Sequence, residues 1–304
     1  MGLLDKLLRG TYKDDKKPPL FPKTRKEVFG QLFRYHKRTL FNVSLMCALF
    51  ALPTLAVVLL SVVYKGYIPQ FIADGSMTAP VADNAELSVL MLEMQIDRLA
   101  CSVMIITNAI LFLGLCGGVR VIRRAAWGEN VEFFHDFGQG IKQNFKHYLL
   151  YAVIFGLSLL FCVFVIGYYS VADAPTAVKA ISMAIAVLQL LTVAGTIVFA
   201  LSHADVYKSS VGKELRNSFI FFISSFPINF GLLILTVLPL AALIIPNAIV
   251  QTIVSILMIL LFPAFAVTVW VLRGDAVFDK YLNVGDNAEV NGKGIVWDDT
   301  DTNE

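Results

Sequence analysis

Six apolar stretches, each about as long as a helix needs to cross the hydrocarbon core of a bilayer, decide what this chain can fold into. They cover residues 40–64, 99–119, 148–169, 177–201, 228–245 and 248–272. The 304 residues are 57% hydrophobic and only 16% charged. A soluble domain carries nearer a quarter charged residues, so a water-soluble fold would lack the polar faces to hide these runs. The expected fold class is therefore all-α: a polytopic transmembrane bundle of about six spans. The first run begins too late and runs too long for a secretory signal peptide.

Between the runs the chain divides simply. Residues 1–39 form a basic lead, opening on MGLLDKLL, which has the pattern of a short surface amphipathic helix. The membrane domain is expected over 40–272, with Pro53 kinking the first span. Residues 65–98 are the external loop. Its first half is rich in Gly, Pro and Asp and reads as irregular. At Asp83-Asn84-Ala85-Glu86 a helix start with a capping box is expected. Leu87, Leu90, Met91 and Met94 then share one face, so this helix should run into the second span. From Glu86 to Ala125 it would be roughly 60 Å long and would present an external docking surface beside Glu86, Glu93 and Asp97. Segments 120–147 and 202–227 read as elbows on the opposite side, a tight turn is expected at Pro246-Asn247, and 273–304 reads as a polar tail.

The basic residues sort by side. Of 25 Lys and Arg, 22 fall in the lead, the two elbows and the tail, and 3 (Lys65, Arg98, Lys179) fall opposite. The positive-inside rule then puts both termini of a multi-pass protein in the cytoplasm.

A loose pattern precedes alternate spans: apolar, Gly, polar, any, apolar, basic. It reads Phe29-Gly30-Gln31-Leu32-Phe33-Arg34, then Phe137-Gly138-Gln139-Gly140-Ile141-Lys142, then Val211-Gly212-Lys213-Glu214-Leu215-Arg216. Three repeated elbow-plus-hairpin units would follow. In them Gly30, Gly138 and Gly212 would permit a bend or close helix approach, and Arg34, Lys142 and Arg216 would sit at headgroup level. The alternative is that basic-plus-apolar segments arise at any cytoplasmic span entry through the positive-inside rule alone.

Segment 117–154, GGVRVIRRAAWGENVEFFHDFGQGIKQNFKHYLLYAVI, resembles the YesL-type, DUF624 membrane proteins of bacteria. There a Gly-rich span end leads to a basic helix, then an Asp-Phe and an Asn-Phe before the next span. The matching residues are Gly117, Gly118, Arg120, Arg123, Arg124, Asp136, Phe137, Asn144 and Phe145. The region 205–235, with Asp205, KELRNSF and SFPINFGLLIL, also fits. This chain is longer and its first external loop larger than the pattern. The resemblance implies an integral membrane protein of unsettled activity, and an accessory role near carbohydrate-uptake transporters.

No run has Asp, Glu, Lys, Arg or His at its centre, whereas ion-coupled carriers place ionisable groups there. The milder polar residues, among them Ser44, Asn108, Gln189 and Asn229, read as bonds between helices. Gly114, Gly117 and Gly118 read as close-packing sites, since no phosphate-loop motif surrounds them. All four histidines lie on the basic side. His135-Asp136 and His203-Ala204-Asp205 would, if brought together, form a polar cluster of His135, Asp136, His203 and Asp205 with metal or acid–base capacity. Their spacing matches no metal motif, and interfacial hydrogen bonding is the competing reading. Cys47, Cys101, Cys116 and Cys162 all fall in apolar runs and read as packing residues.

The expected function is a non-enzymatic accessory or scaffold of a membrane complex, associated with carbohydrate uptake, without a cofactor. Its partners would be the lipid bilayer and another membrane protein such as a transporter, with no nucleic acid. The competing classes are a small-molecule transporter or channel, and a membrane enzyme built on the His/Asp cluster.

Overall fold

A computed structural model describes residues 22–81, 84–241, 248–284 and 287–295. The MGLLDKLL segment, the Pro246-Asn247 turn and the acidic C-terminus lie outside the described residues. Among the described residues the chain is helical throughout, with no strand: α1 (Arg25–Tyr35), α2 (Lys37–Ala73), α3 (Ala85–Ala126), α4 (Phe133–Val171), α5 (Thr176–Val206), α6 (Val211–Ser224), α7 (Phe226–Ala241), α8 (Ala248–Leu260) and α9 (Phe262–Tyr281). The α2, α3, α4 and α5 helices are each long and apolar enough to cross a membrane. The pairs α6–α7, bent by 98°, and α8–α9, bent by 51°, raise the count to six if each pair is one span.

The long helices carry their own rulers. On α4 no Asp, Glu, Lys or Arg follows Lys146 up to the helix end at Val171, and from Arg98 to Arg120 on α3 an uncharged stretch of about 33 Å intervenes at 1.5 Å per residue. That matches a hydrocarbon core of about 30 Å. Exposed Tyr64, Tyr67 and Tyr168 mark one edge, as interfacial aromatics do. Beyond that edge α2 and α3 continue as a projecting hairpin. Lys65 Nζ meets Asp97 Oδ1 across it at 2.8 Å, and Ile68 is fully buried within it. Asn84 caps α3, its side chain accepting from the Leu87 amide at 2.9 Å.

Several boundaries differ from the sequence reading. Of the first half of the external loop only 74–81 is irregular, because α2 is unbroken through Pro53, Gly66 and Pro69 to Ala73. Elbow 120–147 shrinks to a link over 127–132, since α3 ends at Ala126 and α4 begins at Phe133. There Gly128 has φ +72°, its amide bonding Ala125 O at 3.2 Å while the Glu129 amide bonds Arg124 O at 2.9 Å. This left-handed stop favours glycine. The sixth run breaks at Leu261, just before Pro263, and its second half continues to Tyr281. So 273–281 is not tail: Gly274, Asp275, Val277 and Phe278 are buried on one helix face.

The second of the three elbows is also missing. A break at His36 separates α1 from α2, and a sharp bend separates α6 from α7, but α4 runs from Phe133 to Val171 without interruption. Nor do the three pattern glycines touch a neighbour. A Cβ at Gly30, Gly138 or Gly212 would meet nothing within 4 Å. Arg34, Lys142 and Arg216 are all exposed. Close packing falls to other glycines. A Cβ at Gly114 would come within 2.6 Å of Phe50, one at Gly117 within 2.6 Å of the Phe137 ring, and one at Gly118 within 3.1 Å of Cys47 Sγ.

The core is concentrated toward one end. Its clusters join Val43 and Cys47 of α2, Cys116, Val121 and Ile122 of α3, Phe137, Tyr148 and Tyr151 of α4, Phe199 and Ala200 of α5, and Val271 and Phe278 of α9. Toward the other end large apolar side chains face outward, among them Leu59, Leu99, Ile106, Ile181 and Ile185. Polar bonds between helices recur along the bundle. Thr54 Oγ1 donates to Asn108 Oδ1 at 3.3 Å, Gln189 Nε2 to Ser158 Oγ at 2.9 Å, and the Ala264 amide to Ser44 Oγ at 3.1 Å. Each satisfies a polar group that lipid would leave unpaired.

Candidate functional site

The polar chemistry collects where α3, α5 and α9 end together. Arg123, on the last turn of α3, is 1% exposed. Its Nη1 donates to Asp205 Oδ2 at 2.8 Å, its Nε to Asp275 Oδ1 at 3.3 Å, and its Nη2 to Ser202 Oγ. Trp127 Nε1 donates to the other Asp275 oxygen at 3.1 Å. A planar guanidinium with donors in a fixed fork suits this role, joining two helices to a third at set angles. Close approach is built in: a Cβ at Gly274 would lie 2.5 Å from Ser202 Oγ.

Further pairs extend the layer. Arg120 Nη1 lies 3.8 Å from Asp205 Oδ1, and Arg25 of α1 donates to Asp279 Oδ2 at 2.5 Å and to Lys293 O at 2.7 Å. Arg25, Arg120 and Arg123 thus face Asp205, Asp275 and Asp279, three charges against three. Arg124 pairs with Asp136 and, at 2.9 Å, with Glu129. Asp136 also accepts from the Glu132 amide at 2.9 Å, tying down the start of α4. Lys293 lies over the Trp127 ring at 4.4 Å, so the segment 287–295 packs at the same end as α1.

The cluster expected from sequence is divided. Asp136 goes to Arg124 and Asp205 to Arg123. His135 is exposed. His203 is buried against the Tyr207 and Phe278 rings, at 4.9 and 5.7 Å. Among the described residues no group of three or more His, Cys, Asp or Glu is placed to hold a metal ion. The residues that organise this end, Arg123, Trp127 and Asp275, were not picked out as a site. The signal in the sequence is the basic run Arg120 to Arg124, which together with Asp205 also belongs to the resembling segments.

The layer is closed. The gap bounded by Arg25, Trp127, Tyr207, Asp275, Phe278 and Asp279 holds no room for a water molecule. Burial pushes the Tyr207 phenol up, so it stays protonated and donates to Asn283. All three nitrogens of the Arg123 guanidinium are engaged, by Asp205, Asp275 and Ser202.

Next to it lies a different feature. An open cleft of about 410 Å³ is lined by Gln143, Asn144 and His147 of α4, Ala204 of α5, and Tyr207, Lys208, Ser209, Ser210 and Lys213 around the start of α6. Beneath it Glu214 is fully buried. It holds His147 Nδ1 at 2.8 Å, the Tyr151 hydroxyl, and the Ser209 hydroxyl at 3.0 Å.

Fold and side-chain placement define the class: an integral membrane protein of the helical-bundle type, with an ion-paired layer at one end. No family model, no curated protein and no solved structure matches the chain.

Proposed function

We propose that the protein is a non-enzymatic accessory or scaffold of a membrane complex, with the ion-paired end in the cytoplasm. The observation that carries this reading is Arg123. This buried guanidinium is enclosed by Asp205, Asp275 and Ser202 and joins helices. A buried, fully paired cation contributes geometry more than stability. The uncharged stretches across the membrane argue in the same direction, against a coupled carrier. The excess of Lys and Arg at the ion-paired end supports its cytoplasmic placement.

The projecting hairpin of α2 and α3 is the surface offered to the partner outside. Resemblance to the YesL-type, DUF624 proteins supports a partner among carbohydrate-uptake transporters. The test is co-purification after cross-linking in native membranes, run beside solute flux in proteoliposomes. The reading predicts one membrane partner at fixed stoichiometry and no flux by the chain alone. Recovery of the chain alone, with solute-selective flux, would overturn it.

A further inference from the structure

The open cleft beside the ion-paired layer has the opposite character to that layer. Its basic groups are available. Among the described residues, neither Lys208 nor Lys213 has an ion-pair partner, and both are exposed. The one carboxylate beneath the cleft, Glu214, is fully buried, with one oxygen on His147 and Tyr151 and the other on Ser209. By holding Nδ1 of His147, Glu214 fixes the ring and leaves Nε2 as the nitrogen free for the cleft. Asn144 and Ser210 add neutral polar groups to the lining.

Depth matters as much as charge. Lys146 adjoins the apolar stretch of α4. The α6 helix, which starts at the cleft, exposes Phe219, Ile220 and Ile223 and turns by 98° into α7. A helix with exposed apolar side chains beside Lys213 and Arg216, lying across the direction of its successor, fits the plane of the membrane surface. The cleft therefore opens at the level where lipid phosphates lie. Its volume is in the range of small-ligand sites.

We propose that this cleft binds a phosphate-bearing anion, held by the Lys208 and Lys213 ammonium groups with His147 as a positioned third contact. Lysine is a common phosphate binder as a compact point charge. The group is either a lipid headgroup phosphate or a free phosphate. The inference stands apart from the accessory role and needs only the membrane placement of the helices.

The experiment uses the full chain purified in a non-ionic detergent and read by native mass spectrometry and thermal unfolding. The probes are inorganic phosphate, phosphatidic acid, and diacylglycerol with the same acyl chains. Two double variants are compared: Lys208→Gln with Lys213→Gln in the cleft, and Lys142→Gln with Arg216→Gln outside it. All four positions are exposed, so each variant should elute and melt as the parent does. Saturable binding of phosphatidic acid, with none of diacylglycerol, supports the proposal with lipid as the source. A saturable rise in melting temperature with inorganic phosphate supports it with free phosphate as the source. In either case the cleft variant should bind about tenfold more weakly and the outer variant within about twofold of the parent. Failure of both phosphate probes to bind saturably overturns the proposal. So does equal weakening in both variants, which would mean general surface charge.

Discussion

Arg123 Nη1 meets Asp205 Oδ2 at 2.8 Å, with both side chains almost wholly buried, and so joins the end of α3 to the end of α5 across 82 residues of sequence. Asp275 brings α9 to the same guanidinium. The three helices are thereby tied together at one end through a single side chain. Toward the other end the exterior is apolar and the charges are few.

Topology can be tested without removing a native cysteine. Cys47, Cys101, Cys116 and Cys162 are all buried, so a membrane-impermeant thiol reagent should label the parent weakly. Ser76, at the tip of the α2–α3 hairpin, and His135, near the start of α4, are exposed. Ser76→Cys should label on intact cells, and His135→Cys only after permeabilisation. The reverse order would contradict a cytoplasmic ion-paired end.

The glycines make a paired prediction. Gly117→Ala places a methyl 2.6 Å from the Phe137 ring, at a tight α3–α4 crossing. Overpacking of this kind costs about 1–3 kcal/mol. Gly138→Ala, one helix away in open space, should be neutral or stabilising by roughly 0.5–1 kcal/mol, because alanine is the better helix former. Thermal unfolding of the two variants in one detergent checks both signs. Equal effects would mean that the crossing is looser than described.

That contrast also shows what sequence could and could not give. The apolar runs and their spacing were enough for an all-α membrane bundle and for a continuous helix from Glu86 into the second span, which α3 provides. Gly114, Gly117 and Gly118 were legible as packing sites because small residues at a span end have few other uses. The pattern around Gly30, Gly138 and Gly212 was not a guide to contacts. Two of its three copies precede a break or a bend, at His36 and between α6 and α7, while α4 passes through the other copy as an unbroken helix. The layer around Arg123 was hidden for another reason. A charge reads as a loop or tail from sequence unless its partner is known, and the partners of Arg123 lie in segments read as elbow and tail. Without that pairing, Asp275 and Phe278 read as part of a polar tail.

The pair at the far end should behave differently from Arg123. Lys65 and Asp97 are 2.8 Å apart but partly open to solvent. An exposed pair contributes about 0–1 kcal/mol and is screened by salt. Asp97→Asn should therefore lower stability by less than about 1 kcal/mol, and the difference should vanish at high ionic strength. A larger loss, insensitive to salt, would show that the hairpin depends on this contact.

The most direct measurement is the unfolding stability of Arg123→Met beside a triple variant that also carries Asp205→Asn and Asp275→Asn. If the ion-paired layer is structural, Arg123→Met takes from Asp205 and Asp275 the cation they share, leaving Asp205 only the longer contact with Arg120, a loss of about 3–5 kcal/mol. The triple variant, with no uncompensated charge, should regain most of that loss. An Arg123→Met protein as stable as the parent would mean that this charge does not hold the helices together, and would contradict the structural role assigned to it.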